Sequence, residues 1–179
     1  VTQAMKPQIT RTKPSFLSHS PETGSDYSIY VDVPASPGPH PVALFMDGDF
    51  LFDPAVEAAR RLARAGIITP CLVVGVGYGA SFGKPGNHRG RDYTPTSAPE
   101  EPSSGGADRF LGYLSRTLWP EIARNYPVLE NRRLIGGHSL GSLLVLHALF
   151  QEEPFFDAAL ASAPPSGGTT AASSASYRA

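Results

Sequence analysis

Five residues, Gly137-His138-Ser139-Leu140-Gly141, stand between the strand-like run at 132–136 and an apolar helical stretch at 143–150. A serine hydroxyl is a weak nucleophile, so a chain that uses one must raise it out of the backbone on a tight strand-to-helix turn, within reach of a base and a substrate. Gly137 and Gly141 suit such a turn. Lacking a Cβ, they allow a strained φ/ψ at Ser139 and a close approach of helix to strand. The pattern predicts acyl chemistry with Ser139 as nucleophile and with the N–H of Leu140, at the start of the helix, as one donor of an oxyanion hole. The bland alternative is a glycine-bordered turn in which the serine caps a helix.

A tetrahedral oxyanion needs a second donor. The candidate segment is Asp47-Gly48-Asp49-Phe50, which follows the continuously apolar run at 42–46, with the backbone N–H of Gly48 or Asp49 as the donor. An ordinary strand-ending turn, capped by Asp49 or Asp53, is the competing reading. Asp47, Asp49 and Asp53 also have a spacing that invites comparison with a calcium loop, but the helix that follows lacks the distal bidentate acid. No metal and no cofactor are expected.

The general base is harder to find. His138 adjoins the serine, but neighbouring side chains at such a turn diverge, so packing on the sheet or a bond to backbone is expected of it. His147 lies about 12 Å further along the helix at about 1.5 Å of rise per residue. His19 and His40 fall early in the chain, in a hairpin and a loop. His88 is the one reachable candidate. Only 40 of the 179 residues follow Ser139, and His147 is the sole histidine among them.

These residues need a scaffold, and the composition supplies one. With 41% hydrophobic residues in 179, the chain can bury the core of a globular domain. A net charge of -1 and the lack of any dense Lys/Arg cluster argue against nucleic acid as a partner. No apolar run is long enough to cross a bilayer. Cys71 is the single cysteine, read as a buried strand thiol, so no intrachain disulfide is possible. The chain opens at Val1 without a charged segment followed by an apolar one, and a cytoplasmic location is the expectation.

Residues 1–14 are polar with two prolines and read as a loosely held lead-in. A short strand at 16–19 and an alternating one at 27–33 predict a half-buried antiparallel hairpin at a sheet edge. The proline-rich loop at 34–41 leads to the central strand at 42–46. Asp53 is expected to cap a helix with Pro54 in its first turn, running to Gly66. A buried strand is expected at 67–76, then a long loop at 77–106 of the kind that carries function. Phe110, Leu111, Leu114, Leu118 and Ile122 mark one helical face, with a bend at Pro120. The strand before Ser139, the helix after it and a last strand at 157–162 complete an alternating pattern. The fold class is therefore α/β, a mostly parallel sheet with helices on both faces and an N-terminal antiparallel hairpin. In such sheets the site lies beyond the carboxyl ends of the strands.

Several stretches together resemble the esterase branch of the α/β-hydrolase superfamily that includes esterase D-like proteins and ferric-enterobactin (siderophore) esterases. They are Tyr27-Ser28-Ile29-Tyr30-Val31, Met46-Asp47-Gly48, Arg91-Asp92-Tyr93-Thr94-Pro95, Gly105-Gly106-Ala107 with Phe110-Leu111, and the serine pentapeptide. The resemblance spans about 15–163. It implies the nucleophile role for Ser139, and a catalytic histidine, with an acid where one is used, in a C-terminal portion that this chain lacks. Ser142 stands where glycine is common in the family and is expected to crowd the helix start mildly. Residues 164–179 read as a disordered tail outside the family. The run Ser166-Gly167-Gly168-Thr169-Thr170 can be recoded, one base out of frame, as a Trp-Trp-Asp-Asp stretch similar to one carried by such esterases. A truncated or frameshifted gene that lacks the C-terminal strands is the expectation.

The function so implied is a serine-dependent carboxylic ester hydrolase acting on a small-molecule ester through an acyl-enzyme, impaired by the missing histidine. Arg89, Arg91 and Tyr93, in the loop that would overlook the site, are candidates to hold an anionic or aromatic substrate, against the alternative of solvated loop residues. A non-catalytic remnant or binding module that retains the fold is the rival reading, and an acyltransferase is a second. Loss of the covering strands would leave an apolar sheet edge open to self-association.

Overall fold

The apolar run expected at the centre of the sheet lies there. In the computed structural model, which describes residues 12–99 and 101–165, six strands pair in the order β1-β2-β4-β3-β5-β6. They are β1 (Phe16–Ser20), β2 (Ser25–Asp32), β3 (His40–Met46), β4 (Leu72–Gly77), β5 (Val128–His138) and β6 (Ala158–Ser162). β1 and β2 form the antiparallel hairpin, β2 meets β4 antiparallel, and β4, β3, β5 and β6 run parallel. Side chains alternate across the pleat, so Val42, Leu44 and Met46 point to one face of β3 and Phe45 to the other.

Each face has its own helical cover. Helix α1 (Gly48–Arg64) lays Phe52, Ala55, Val56 and Ala59 against Tyr30, Phe45 and Val73. The opposite face is covered by α3 (Ala107–Tyr113), a π-helical turn at Leu114–Leu118, α4 (Trp119–Asn125) and α5 (Leu140–Leu149). Of the predicted stripe, Phe110, Leu114, Leu118 and Ile122 are fully buried there beside Ile29, Val74, Ile135 and Leu144, and Leu111 is partly buried against them. The π-helical turn ends two residues before Pro120, which has no N–H to give to the regular ladder and sits in the first turn of α4.

The structure corrects four expectations. The first helix begins at Gly48 rather than beside Pro54, because Asp47 takes a left-handed conformation and its carbonyl accepts the N–H groups of both Phe50 and Leu51. Asp53 is thereby inside the helix, and its carboxylate accepts bonds from Thr12 instead, which also ties down the end of the expected lead-in. β4 starts at Leu72, not at 67, because the chain leaving α1 closes on it through Gly66 (φ 70) with the N–H of Ile67 on the Leu62 carbonyl. Tyr27, Ser28, Ile29 and Tyr30 are all buried, so β2 is covered on both faces rather than half-exposed. Cys71 precedes β4 and is only partly buried, and burial followed by the Asp32 carboxylate raises its thiol pKa. Residues 1–11 and 166–179, where most of the expected lead-in and tail fall, lie outside the described residues.

Candidate active site

Ser139 is the residue at which β5 becomes α5, and it holds φ 54 and ψ -121. Such a conformation costs a non-glycine residue on the order of 1–3 kcal/mol and persists only where its surroundings enforce it. Here β6 does the enforcing. The N–H of Ser139 donates to the Ser162 carbonyl at 2.9 Å, and the Ser139 carbonyl accepts the N–H of Ser142 at 2.9 Å. The Ser142 hydroxyl, fully buried, lies 3.0 Å from the Gly137 carbonyl and 2.5 Å from that of Ser162. Ser142 therefore stitches the turn to β6 instead of crowding the helix, a role the sequence reading missed. The Ser139 side chain is half-buried and makes no capping bond to α5, so the helix-cap alternative does not describe it.

Beside this turn, β3 ends in a second left-handed residue. Asp47 has φ 53 and ψ 43 and, like Ser139, opens a helix, since α1 starts at Gly48 as α5 starts at Leu140. β3 and β5 are parallel neighbours with Phe45 opposite Gly136, so the two helix N-termini emerge side by side. Both present the N–H groups of their first turns and their positive dipole ends beyond the carboxyl end of the sheet. Leu140, Gly48 and Asp49, the expected oxyanion donors, occupy those first turns. Gly48 tolerates no side chain, because a Cβ would meet the Gly75 carbonyl carbon at 2.7 Å. The Asp49 carboxylate accepts the N–H of Tyr78 at 2.6 Å, the N–H of Gly79 at 3.1 Å and the hydroxyl of Tyr30 at 2.6 Å. It lies at the edge of a cavity of about 320 Å³ that Phe50, Ala80 and Ser81 also line.

The long loop carries a short helix, α2 (Arg89–Asp92), which packs on α3 and α5. Of the three loop candidates, Arg89 and Tyr93 come to the site as supports of Asp47. Arg89 places Nε and Nη2 each 2.9 Å from an oxygen of Asp47, and its guanidinium stacks over Phe82 and Tyr93. The Tyr93 ring is fully buried, and its hydroxyl oxygen accepts the N–H of Asp47 at 3.0 Å. Burial, then the Asp47 charge, pushes its pKa well above the usual value. Arg91 turns away toward Asp92, Ser25 and Tyr27. Desolvation lowers its pKa and the bonds to Asp92 and Tyr27 more than compensate. The substrate contacts expected of Arg91 and Tyr93 give way to these internal ones, because their polar groups are engaged inside the protein.

Asp92, also missed, is the hub of that interior. Its carboxylate is fully buried and accepts the hydroxyls of Tyr27 at 2.8 Å and Tyr78 at 3.1 Å and the Nε of Arg91 at 2.7 Å. Its charge and position in Arg91-Asp92-Tyr93 hinted at a role, but its partners come from β2 and β4.

The histidines are dispersed. His19 pairs with Asp26 in the hairpin, His40 is buried at the start of β3, away from the helix N-termini, and His147 pairs with Asp108 at 2.7 Å. His138 is exposed, its Nδ1 3.4 Å from the Ser162 hydroxyl, rather than packed on the sheet. His88 is exposed at the head of α2. No group of three or more His, Cys, Asp or Glu among the described residues could hold a metal ion, and no described helix is long and apolar enough to cross a membrane.

Comparison with known proteins meets this geometry. The family described as "Putative esterase" matches residues 20–173, a span that reaches into the segment expected to lie outside the family. The chain is 34% identical to the ferri-bacillibactin esterase BesA of Bacillus subtilis over 156 residues, 77% of this chain and 53% of that protein. It is 38% identical to the siderophore triacetylfusarinine C esterase of Aspergillus fumigatus over 131 residues, 71% of this chain and 44% of that one. Among solved structures, the BES protein from Bacillus cereus superposes with a TM-score of 0.77 at 30% identity over 92% of this chain and 66% of its own. The chain spans about half the length of the curated relatives it matches. On its fold, its strained serine turn and this match, the chain belongs to the "Putative esterase" family of α/β-hydrolases.

Proposed function

We propose that this chain carries the nucleophilic half of a serine-dependent carboxylic ester hydrolase whose substrates are siderophore esters. The observation that carries the reading is Ser139 held at φ 54 and ψ -121 between β5 and α5, beside a second helix N-terminus. In the reaction, Ser139 Oγ attacks the ester carbonyl as its proton passes to a base, and the carbonyl oxygen takes the negative charge. The N–H of Leu140 and that of Gly48 or Asp49 stabilise this oxyanion. Collapse breaks the bond to the alkoxy oxygen, which leaves as the alcohol with the proton, and water then releases the acid from Ser139. The siderophore class rests on the names of the relatives at 34% and 38% identity.

The base must come within hydrogen-bond reach of Ser139 Oγ. His19, His40 and His147 have other partners or positions; we take the base from outside the described residues, in keeping with relatives about twice as long, with exposed His88 as the alternative within them. The chain by itself therefore acylates slowly.

Labelling with a fluorophosphonate tests this without a choice of ester. The expected result is a slow adduct that Ser139→Ala abolishes and His88→Ala leaves unchanged. Equal labelling of the wild type and Ser139→Ala would refute Ser139 as the nucleophile, and loss of labelling in His88→Ala would move the base to His88.

A further inference from the structure

We propose that Arg89 is a positioning residue for the oxyanion hole, acting through the carboxylate of Asp47. This rests on the reading of Ser139 as nucleophile and adds to it a residue whose guanidinium is engaged by Asp47 rather than by Ser139.

The physical problem is charge. Asp47 immediately precedes Gly48 and Asp49, the candidate donors, and its carboxylate also borders the other helix, since a Cβ on Gly141 would lie 3.5 Å from Asp47 Oδ2. An uncompensated carboxylate between two helix N-termini would draw their N–H groups and dipoles to itself and repel the oxyanion forming nearby. Arg89 answers both effects. Its fork takes both carboxylate oxygens at 2.9 Å, and the pair is largely withdrawn from water, with side-chain exposures of 16% for Arg89 and 12% for Asp47. Screening by solvent is weak at such exposure, so neutralisation depends on the partner.

The same contact fixes geometry. Asp47 is left-handed, an unfavourable conformation for a residue with a Cβ, and three contacts hold it. Its N–H is on Tyr93 Oη, its carboxylate on Arg89, and its carbonyl on Phe50 and Leu51. Arg89 is itself braced by stacking on Phe82 and Tyr93, at 5.2 Å and 5.5 Å to the ring centroids. A guanidinium rather than an ammonium suits this site, because only the planar fork meets two oxygens at once.

The test follows fluorophosphonate labelling of the whole chain as a function of reagent concentration, with melting curves to confirm folding. Arg89→Met is expected to lower the limiting rate about tenfold to a hundredfold, less than the loss of an oxyanion donor itself because the donors remain in place, with the half-saturating concentration unchanged. The double variant Arg89→Met/Asp47→Asn is expected to recover most of that rate, since no charge is left to neutralise. Arg89→Lys is expected to be intermediate. If the Met variant fails to fold, Arg89→Lys decides, and a limiting rate equal to the wild type overturns the proposal. A folded Arg89→Met at the wild-type rate, or a double variant as slow as the single, also overturns it. Hydrogen exchange at the amides of Gly48 and Asp49 separates the two readings. If the wild type takes no label, Ser139 fails as nucleophile, while faster exchange in Arg89→Met still supports the clamp and unchanged exchange refutes it.

Discussion

Gly137 and Gly141 touch across the serine turn: a Cβ on Gly137 would come within 2.5 Å of the Gly141 carbonyl oxygen. Gly141 is the looser of the two, since a Cβ there would meet only Met46, Asp47 and Tyr93 at ordinary contact distances of 3.5 to 3.8 Å. The expectation that both glycines permit close packing therefore applies sterically to Gly137. Gly137→Ala is expected to destabilise the fold by about 1–3 kcal/mol and to abolish Ser139 labelling, whereas Gly141→Ala retains the fold. Denaturant melts of the two variants check the contrast.

Ser139 is strained whereas glycine would be at ease there. Ser139→Gly is expected to raise stability by about 1 kcal/mol, the relief of an unfavourable φ/ψ less the added entropy of an unfolded glycine. Urea unfolding of this folded but unlabelled variant reads the gain, and a lowered midpoint would contradict the strain.

Asp92 bonds two tyrosine hydroxyls and Arg91 inside the core. Asp92→Ala strands the Arg91 guanidinium, and breaking a buried pair from one side costs about 3–5 kcal/mol. Thermal melts should place this variant below Asp92→Asn, whose amide keeps one of the two acceptor oxygens, enough for the two tyrosine hydroxyls.

Alkaline pH should unfold the chain cooperatively. Tyr27, Tyr78, Tyr93 and Tyr113 all have pKa values raised above the ordinary 10.0, mainly by burial. A raised pKa means that the folded state holds its protons after the unfolded state has released them. Stability from these groups is complete below about pH 10 and declines as pH rises beyond it. Tyrosinate absorbance should appear together with loss of the far-ultraviolet signal, and free titration of all tyrosines in a folded chain would contradict the burial.

β6 pairs only with β5 among the described residues, and its sequence Ala158-Ala159-Leu160-Ala161-Ser162 carries no charge, proline or bulge to protect it. Leu160 is 54% exposed above a groove of about 240 Å³ lined by Phe45, Leu51, Pro54 and Ala55. The proposed self-association through this edge predicts a mass above the monomer in light scattering at high concentration, reversed by Leu160→Lys. A monodisperse monomer in the wild type would contradict it.

The serine turn, the order of strands and helices and the apolar stripe from Phe110 to Ile122 could be read in the sequence, because each depends on residues adjacent or at helical or strand spacing. What the tertiary structure decided was which polar group meets which. Asp47 finds Arg89 across 42 positions and Tyr27 finds Asp92 across 65, and Ser142 finds the backbone of β6. No local pattern encodes such pairings, since the chain must first fold the sheet for these groups to meet. The same holds for the start of α1: Pro54 and Asp53 are locally a sound helix beginning, but the left-handed turn at Asp47, held by Tyr93 and Arg89, moves that beginning to Gly48.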